Sequence, residues 1–281
     1  MLMYHGLRVR CIGRAGDLLM AHPIGLAHLS AMELEPAALI DLAADTGHAS
    51  VALRLHSAAA GTPVYPMVPG SVETLALRDY AHSRGVAISE IELVPITHNL
   101  APDTLRPLLQ VAKELGATGL IVTGDIDDRA LLIDRFAAIC KNAAAHGLLV
   151  HLEFMRWRAV GTLSDAREVV AQSEQHNARI LVDLLHLARS GGTAEELATL
   201  PPDLVNLVQI CDATAELQGD IIAEARGGRL MPGQGALPIP DMLSALRGTW
   251  NAALELPGMG EGDARRTALA EARAQVEKLC R

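Results

Sequence analysis

Four apolar runs in this sequence each close on a single oxygen-bearing side chain. They are Leu148-Leu149-Val150-His151-Leu152-Glu153, Ile180-Leu181-Val182-Asp183, Leu204-Val205-Asn206-Leu207-Val208-Gln209 and Trp250-Asn251-Ala252-Ala253-Leu254-Glu255. Gathered at one rim, Glu153, Asp183, Gln209 and Glu255 would offer hard oxygen ligands to one divalent metal ion. Such a set suits Mn²⁺ or Mg²⁺, with Zn²⁺ or Co²⁺ as alternatives, better than a metal that selects thiolates. A cation there would grip a carbonyl oxygen and an adjacent hydroxyl, and as a Lewis acid would stabilise the enediolate formed when the proton α to the carbonyl is removed. Glu153 and Glu255 are the candidate catalytic pair: one abstracts the proton and the other returns one, giving epimerisation or ketose–aldose isomerisation. With a hydroxyl β to the carbanion the same pair would give dehydration.

A lone carboxylate at the end of an apolar run is more often a helix cap than a ligand, so the inference rests on the grouping. His186, three residues after Asp183, is read as a substrate-binding residue, against the alternative of a buried histidine satisfied by backbone. Arg54 alternates with Val51, Leu53 and Leu55 and so faces the other side of its strand, where it would bind a substrate carboxylate, phosphate or hydroxyl. Arg156, with Arg158 beside it, and His28 are further substrate-binding candidates. Glu92 ends a strand and falls in the same class, and His151 reads as a packing residue beneath the metal.

These residues need a scaffold, and the rest of the chain supplies a repeating one. Strands are expected at Pro23 to Leu29, Val51 to Leu55, Val86 to Ile96, Leu120 to Thr123, Leu148 to Phe154, Ile180 to Leu184, Asn206 to Cys211 and Asn251 to Leu256. Between them come helices from Pro36 to Asp45, Ser71 to Arg84, Asp103 to Leu115, Asp127 or Asp128 to about Gly147, Ser164 to His176, Thr193 to Thr199 and Ile239 to Leu246, with Asp263 to Leu279 closing the chain. The Ser164 start, Ser-x-x-Arg, lacks the acidic partner of a capping box. Eight strands alternating with helices predict an α/β fold, a (β/α)₈ TIM barrel in a single domain over 1–281, with an N-terminal extension over 1–21 and a closing helix within 262–281. A doubly wound open sheet is the second choice. In a barrel, residues two apart on a strand share a face, so inward Glu153, Asp183, Gln209 and Glu255 require inward His151, Leu181, Leu207 and Ala253.

Composition narrows the function classes. The chain has 281 residues, is 50% hydrophobic, and carries a formal charge of −9 from 33 acidic and 24 basic residues, which argues against a nucleic acid partner. Cys11, Cys140, Cys211 and Cys280 lie far apart, without the paired spacing of a zinc ribbon or a disulfide scaffold. No apolar run reaches the ~18 residues of a membrane span, so a cytoplasmic enzyme with a small-molecule substrate and no membrane partner is expected. The Ala-rich C-terminal helix is compatible with a homo-oligomer. Pro232-Gly233-Gln234-Gly235 has the glycine content of a phosphate loop but neither follows a strand nor opens a Lys-Ser/Thr helix start, and reads as a turn.

With these residues in place, the chain resembles the xylose-isomerase-like family of sugar and sugar-phosphate isomerases and epimerases. The likeness is sharpest in Leu152-Glu153, Asp183-Leu184-Leu185-His186, Val208-Gln209 with Asp212, Met231-Pro232-Gly233-Gln234-Gly235 and Leu254-Glu255. The resemblance implies one divalent metal ion held by the residues at positions 153, 183, 209 and 255, the two glutamates acting as acid and base, and the Asp-x-x-His histidine contacting substrate oxygens. Gln209 stands where the epimerases usually carry His, and Ala215 where a substrate-binding Arg would be expected. A glutamine at that ligand position is similar to some 3-dehydroshikimate dehydratases of the same fold. The expectation is a metal-dependent isomerase or epimerase of a small sugar, sugar phosphate or related polyhydroxy carbonyl compound in carbohydrate metabolism. A dehydratase (lyase) of the same fold is the enzyme rival, and a non-catalytic barrel the binding-protein rival. The apurinic-site nucleases of this fold would want a basic groove and more ligands than this acidic chain offers.

Overall fold

In the computed structural model, which describes residues 24–59 and 61–280, the strands close into a parallel barrel; the extension assigned to residues 1–21 and Cys11 lie outside the described residues. In chain order the elements are β1 (Ile24–Leu26), α1 (Pro36–Asp45), β2 (Ser50–Arg54), α2 (Val72–Ser83), β3 (Ala87–Ile96), α3 (Arg106–Leu115), β4 (Gly119–Gly124), α4 (Arg129–Ala144), β5 (Leu149–Glu153) and α5 (Leu163–Ser173). They continue with β6 (Ala178–Asp183), α6 (Leu184–Arg189), α7 (Ala194–Ala198), β7 (Val205–Ile210), α8 (Ile221–Gly227), α9 (Ile239–Ala245), β8 (Asn251–Leu254) and α10 (Gly262–Leu279). Each strand pairs with the next, and β1 pairs with β8, so the doubly wound alternative is excluded.

Local chemistry explains most boundaries. Pro36 opens α1 at a position where its missing N–H costs nothing. Ser71 and Asp128 cap α2 and α4 by accepting from Thr74 and Leu131 backbone N–H groups. Gly116 ends α3 in the left-handed conformation, at φ 82°. Three expectations need correction. β1 stops at Leu26, and the chain turns at once into a 3₁₀ segment, His28–Ala31, where the Ser30 hydroxyl accepts the Leu256 backbone N–H at 3.0 Å. The α5 start does have a capping box, set two residues earlier than expected: Thr162 accepts from the Asp165 N–H, and the Asp165 carboxylate accepts from the Thr162 N–H. The strand expected to reach Leu184 ends at Asp183, and Leu184–Arg189 forms helix α6, which was not expected.

Two apolar cores result. The larger packs the outer strand faces, including Val51, Leu53, Val122, Val182 and Val208, against the helices. A small one of Leu93, Ile121, Met155, Leu181, Leu207 and Ala253 fills the barrel interior, so the expected inward parity of strands β6, β7 and β8 holds. Register irregularities refine it. A shift between Ile91 and Val94 lets both Glu92 and Leu93 face the interior, and in β7 the pairing skips Asn206.

Candidate active site at the barrel mouth

The C-terminal ends of the strands open onto a cavity of about 680 Å³. Glu153 is the last residue of β5 and Asp183 the last of β6; Gln209 pairs in register with Asp183, and Glu255 directly follows β8. All four are at most 5% exposed. Asp183 also caps α6: its Oδ1 accepts the His186 backbone N–H at 3.0 Å. The Asp-x-x-His spacing is therefore a capping geometry that returns the imidazole over the strand ends, where Nε2 lies 3.6 Å from Glu153 Oε1. Glu153, Asp183 and His186 each present a ligand atom within 4.8 Å of the others.

A cation fits these donors. Gln209 Nε2 donates to Glu255 Oε1 at 3.0 Å, and its buried Oε1 has no partner among the described residues. An orphaned carbonyl beside three buried carboxylates is a donor set that a dication would satisfy. The site is oxygen-rich with one imidazole, a donor set open to Mg²⁺, Mn²⁺ or Zn²⁺.

Sequence reasoning missed Arg229. Its guanidinium is buried among the carboxylates, with Nη1 2.5 Å from Asp183 Oδ2 and Nη2 2.7 Å from Glu255 Oε2. Nη1 also lies 3.3 Å from Cys211 Sγ, and Nε donates to the Ala225 carbonyl at 2.8 Å. Ala215 stands where a substrate-binding Arg was expected, and the guanidinium that reaches the carboxylates comes from further along the chain. Asp212 carries it there. Its Oδ2 accepts the N–H groups of Gly233 and Gly235, its Oδ1 those of Ala213 and Leu237, and its backbone bridges to Leu230. Gly235 is required, because a Cβ would meet the Ala213 carbonyl at 2.2 Å. The signal was present in the Met231-Pro232-Gly233-Gln234-Gly235 turn, but nothing in the sequence ties that turn to Asp183. Arg189 clamps the same excursion from the other side, gripping both Glu224 oxygens at 2.6 and 2.7 Å.

Burial sets the protonation states. It drives Glu255 up to about 8 despite Arg229, and lifts Glu153 well above the usual carboxylate range, with Glu255 and Asp183 adding like-charge repulsion. Burial also pushes toward protonation at Asp183, but Arg229 and His186 beside it hold its carboxyl below the usual range. Burial lowers His186 to about 4, so the imidazole is neutral and free to accept or to coordinate. A bound dication would favour the ionised carboxylates.

The remaining candidates separate. Arg54 and Glu92 line the cavity and pair with each other at 3.4 Å. Trp157 lines it too, edge-on to His186 with ring centroids 5.0 Å apart, as does Arg158. Arg156 is exposed and donates to the Arg189 carbonyl, outside the cavity lining. His28 does not reach the cavity either: Nε2 donates to the Leu34 carbonyl at 2.9 Å and Nδ1 accepts the Arg54 backbone N–H at 2.8 Å. His151 is buried inside the barrel, against Asn206. Among the described residues, no helix is long and apolar enough to cross a membrane.

The sequence profile described as xylose isomerase-like TIM barrel matches residues 40–278. A 3-dehydroshikimate dehydratase of Pseudomonas aeruginosa is 29% identical over 138 residues, 47% of this chain and 22% of that protein, so this chain spans well under half of that relative's length. Among solved structures, the IolI protein with a bound zinc atom superposes with a TM-score of 0.71 at 16% identity, covering 92% of this chain and 96% of that one. A D-psicose 3-epimerase determined in the presence of D-fructose gives 0.64 at 12% identity, covering 92% and 96%. At these identities the structural likeness speaks for the fold.

Proposed function

Because the chain belongs to the xylose isomerase-like TIM barrel family, we propose that it moves a proton α to the carbonyl of a small polyhydroxylated substrate, as a metal-dependent isomerase or epimerase. One observation carries this reading: the ligand atoms of Glu153, Asp183 and His186 gather within 4.8 Å, with Glu153 and His186 lining the cavity beside the unpartnered carbonyl of Gln209 and the carboxyl of Glu255.

Glu153, Asp183, His186, Gln209 and Glu255 are the residues that would hold the ion. When bound, a divalent cation supplies Lewis acidity toward a substrate carbonyl. The proteins' side chains do the rest. Glu153 suits the role of base, since it lines the cavity and its Oε1 lies 3.6 Å from the neutral imidazole of His186. It takes the proton from the carbon next to the carbonyl, leaving an enediolate. Glu255, oriented by Gln209 and Arg229 at the end of β8, three strands along the barrel from β5, delivers a proton from another side of the cavity. Return to the opposite face gives the epimer, and return to the adjacent carbon gives the isomer. Leu93, Ile121, Met155 and Trp157 wall the cavity with apolar surface and limit water at the reacting carbons.

Dehydration is the second reading, favoured by Gln209 and by the dehydratase relative. In that case a β-hydroxyl leaves the enediolate, and the Glu255 proton departs with it as water. Incubation with Mn²⁺ and either ketoses or 3-dehydroshikimate in D₂O, followed by NMR, tests both. Deuterium at the α carbon of a recovered ketose supports the isomerase or epimerase, and a new aromatic product supports the dehydratase. No exchange with any substrate after metal loading would reject the reading.

A further inference from the structure

Asp183 and Glu255 are each fixed at both carboxylate oxygens, Asp183 by the His186 N–H and Arg229, Glu255 by Gln209 and Arg229. Glu153 is not. Its carboxylate accepts no hydrogen bond among the described residues, and the contact it makes is to the neutral imidazole of His186 at 3.6 Å. A carboxylate that is to coordinate and to take a proton needs a partner that sets its orientation. The strand beside it carries an unplaced donor. In β4, Gly119, Ile121 and Thr123 face the barrel interior: a Cβ on Gly119 would meet Glu90 and the His151 ring, and Ile121 belongs to the inner core. Thr123 is fully buried, and its Oγ1 has no partner among the described residues. It pairs in register with Pro95 on one side and Glu153 on the other. Neighbouring strands lie ~4.8 Å apart, so the hydroxyl and the Glu153 side chain start from adjacent positions on the inner wall. Proline offers no side-chain acceptor, and Asp125, two residues on, is already paired with Arg158. A valine would fill the same slot without burying an unpaired hydroxyl, so a threonine there is costly unless an acceptor reaches it.

We infer that Thr123 is a positioning residue for Glu153: in the metal-loaded site its hydroxyl donates to a Glu153 carboxylate oxygen and fixes that carboxylate for coordination and proton abstraction. This rests on the proposed function and deepens it by naming what orients the base. Thr123 does not line the cavity, so it acts on a substrate only through Glu153.

Calorimetric titration of the full-length chain with Mn²⁺ tests the inference without any substrate. Thr123→Val is expected to weaken Mn²⁺ binding about tenfold, the scale of losing a hydrogen bond behind a metal ligand, and Thr123→Ser, which keeps the hydroxyl, to retain most of the native affinity. The valine variant is expected to melt at or above the native temperature in the absence of metal, since it removes an unpaired buried hydroxyl. Unchanged Mn²⁺ affinity in Thr123→Val overturns the inference. So does an equal loss in the valine and serine variants, which would assign the effect to packing, and so does a lowered melting temperature with affinity intact, which would leave Thr123 a structural role only. A crystal structure of the native chain with Mn²⁺ bound, which stands even if Thr123→Val does not fold, is expected to place Thr123 Oγ1 within about 3.2 Å of a Glu153 carboxylate oxygen; a hydroxyl still unpaired there, or given to Asp125, equally overturns it. A native chain that binds no Mn²⁺ removes the proposed metal site and this inference together. Mn²⁺ binding that ignores Thr123 sinks this inference alone, whereas hydroxyl-dependent Mn²⁺ binding without α-proton exchange on ketoses or turnover of 3-dehydroshikimate sinks the proposed function alone.

Discussion

At the mouth of the barrel, buried charges are cross-braced. Asp183 and Glu255 share Arg229, Gln209 spans to Glu255, and the group opens onto the cavity. Two residues earlier on the strands of Glu92 and Glu153, Glu90 and His151 are buried just as deeply, but Glu90 Oε1 and His151 Nδ1 have no partners among the described residues and neither side chain touches the cavity. Gly119 makes their room, since a Cβ there would come within 2.6 Å of the His151 ring. Burial works against charge on the lower pair, raising Glu90 to about 7 and lowering His151 to about 4. A polar group inside a barrel is thus no sign of function by itself. Access to a cavity, an opposite charge held in reach and convergence of ligands distinguish the upper set.

The contrast can be attacked in order of expected effect. Glu153→Gln and Glu255→Gln should each slow α-deuterium exchange by about 10³-fold while leaving the melting temperature unchanged or higher, because each removes a buried carboxylate from a crowded group. An unaltered exchange rate would move the chemistry elsewhere. Arg229→Met should cost about 3–5 kcal/mol in denaturant unfolding, by stranding Asp183 and Glu255. Saturating Mn²⁺ should recover part of that loss, which it would not do for a purely apolar defect.

Glu90→Gln probes the lower pair. Glu90 titrates near 7 in the folded chain against an ordinary 4.5, so its stabilising contribution is complete below about pH 4.5 and disappears as the pH climbs through 7. The variant should therefore match the native chain at acid pH and exceed its unfolding free energy by on the order of 3 kcal/mol near pH 9. A variant no more stable at alkaline pH would show the carboxyl to be compensated. Asp212→Ala should cost about 2 kcal/mol, by orphaning backbone donors, and should reduce exchange further by freeing Arg229. Last, Mn²⁺ affinity should rise up to about tenfold per pH unit below pH 8 and level off above, since a carboxyl titrating near 8 must lose its proton to coordinate. Calorimetry in buffers of different ionisation heat would count the protons released.

The metal-binding candidates were legible because a strand that ends at a barrel rim writes its last side chain into an apolar run: Glu153, Asp183, Gln209 and Glu255 all carry that signature. Most helices were legible from their caps and their terminal glycines, but the short α6 and α8 were not. What escaped was set by distance in sequence. Arg229 lies 46 residues from Asp183, and its place depends on Asp212 binding backbone groups more than twenty residues away. The cap of α5 was missed because Ser164 looked the better N-cap, although only Thr162 stands three residues before a carboxylate. His28 has the chemistry of a binding residue but spends both ring nitrogens on backbone groups.

The bridge between Asp212 and Leu230 pinches residues 213–229 into an excursion whose two ends leave the barrel side by side. Most of that stretch can in principle be rewritten without disturbing the strands, provided the pinch, the Arg189 clamp and Arg229 survive. It is a natural graft point: transplanting a differently shaped excursion between the same two anchors would reshape the pocket entrance while the machinery beneath stayed where it was.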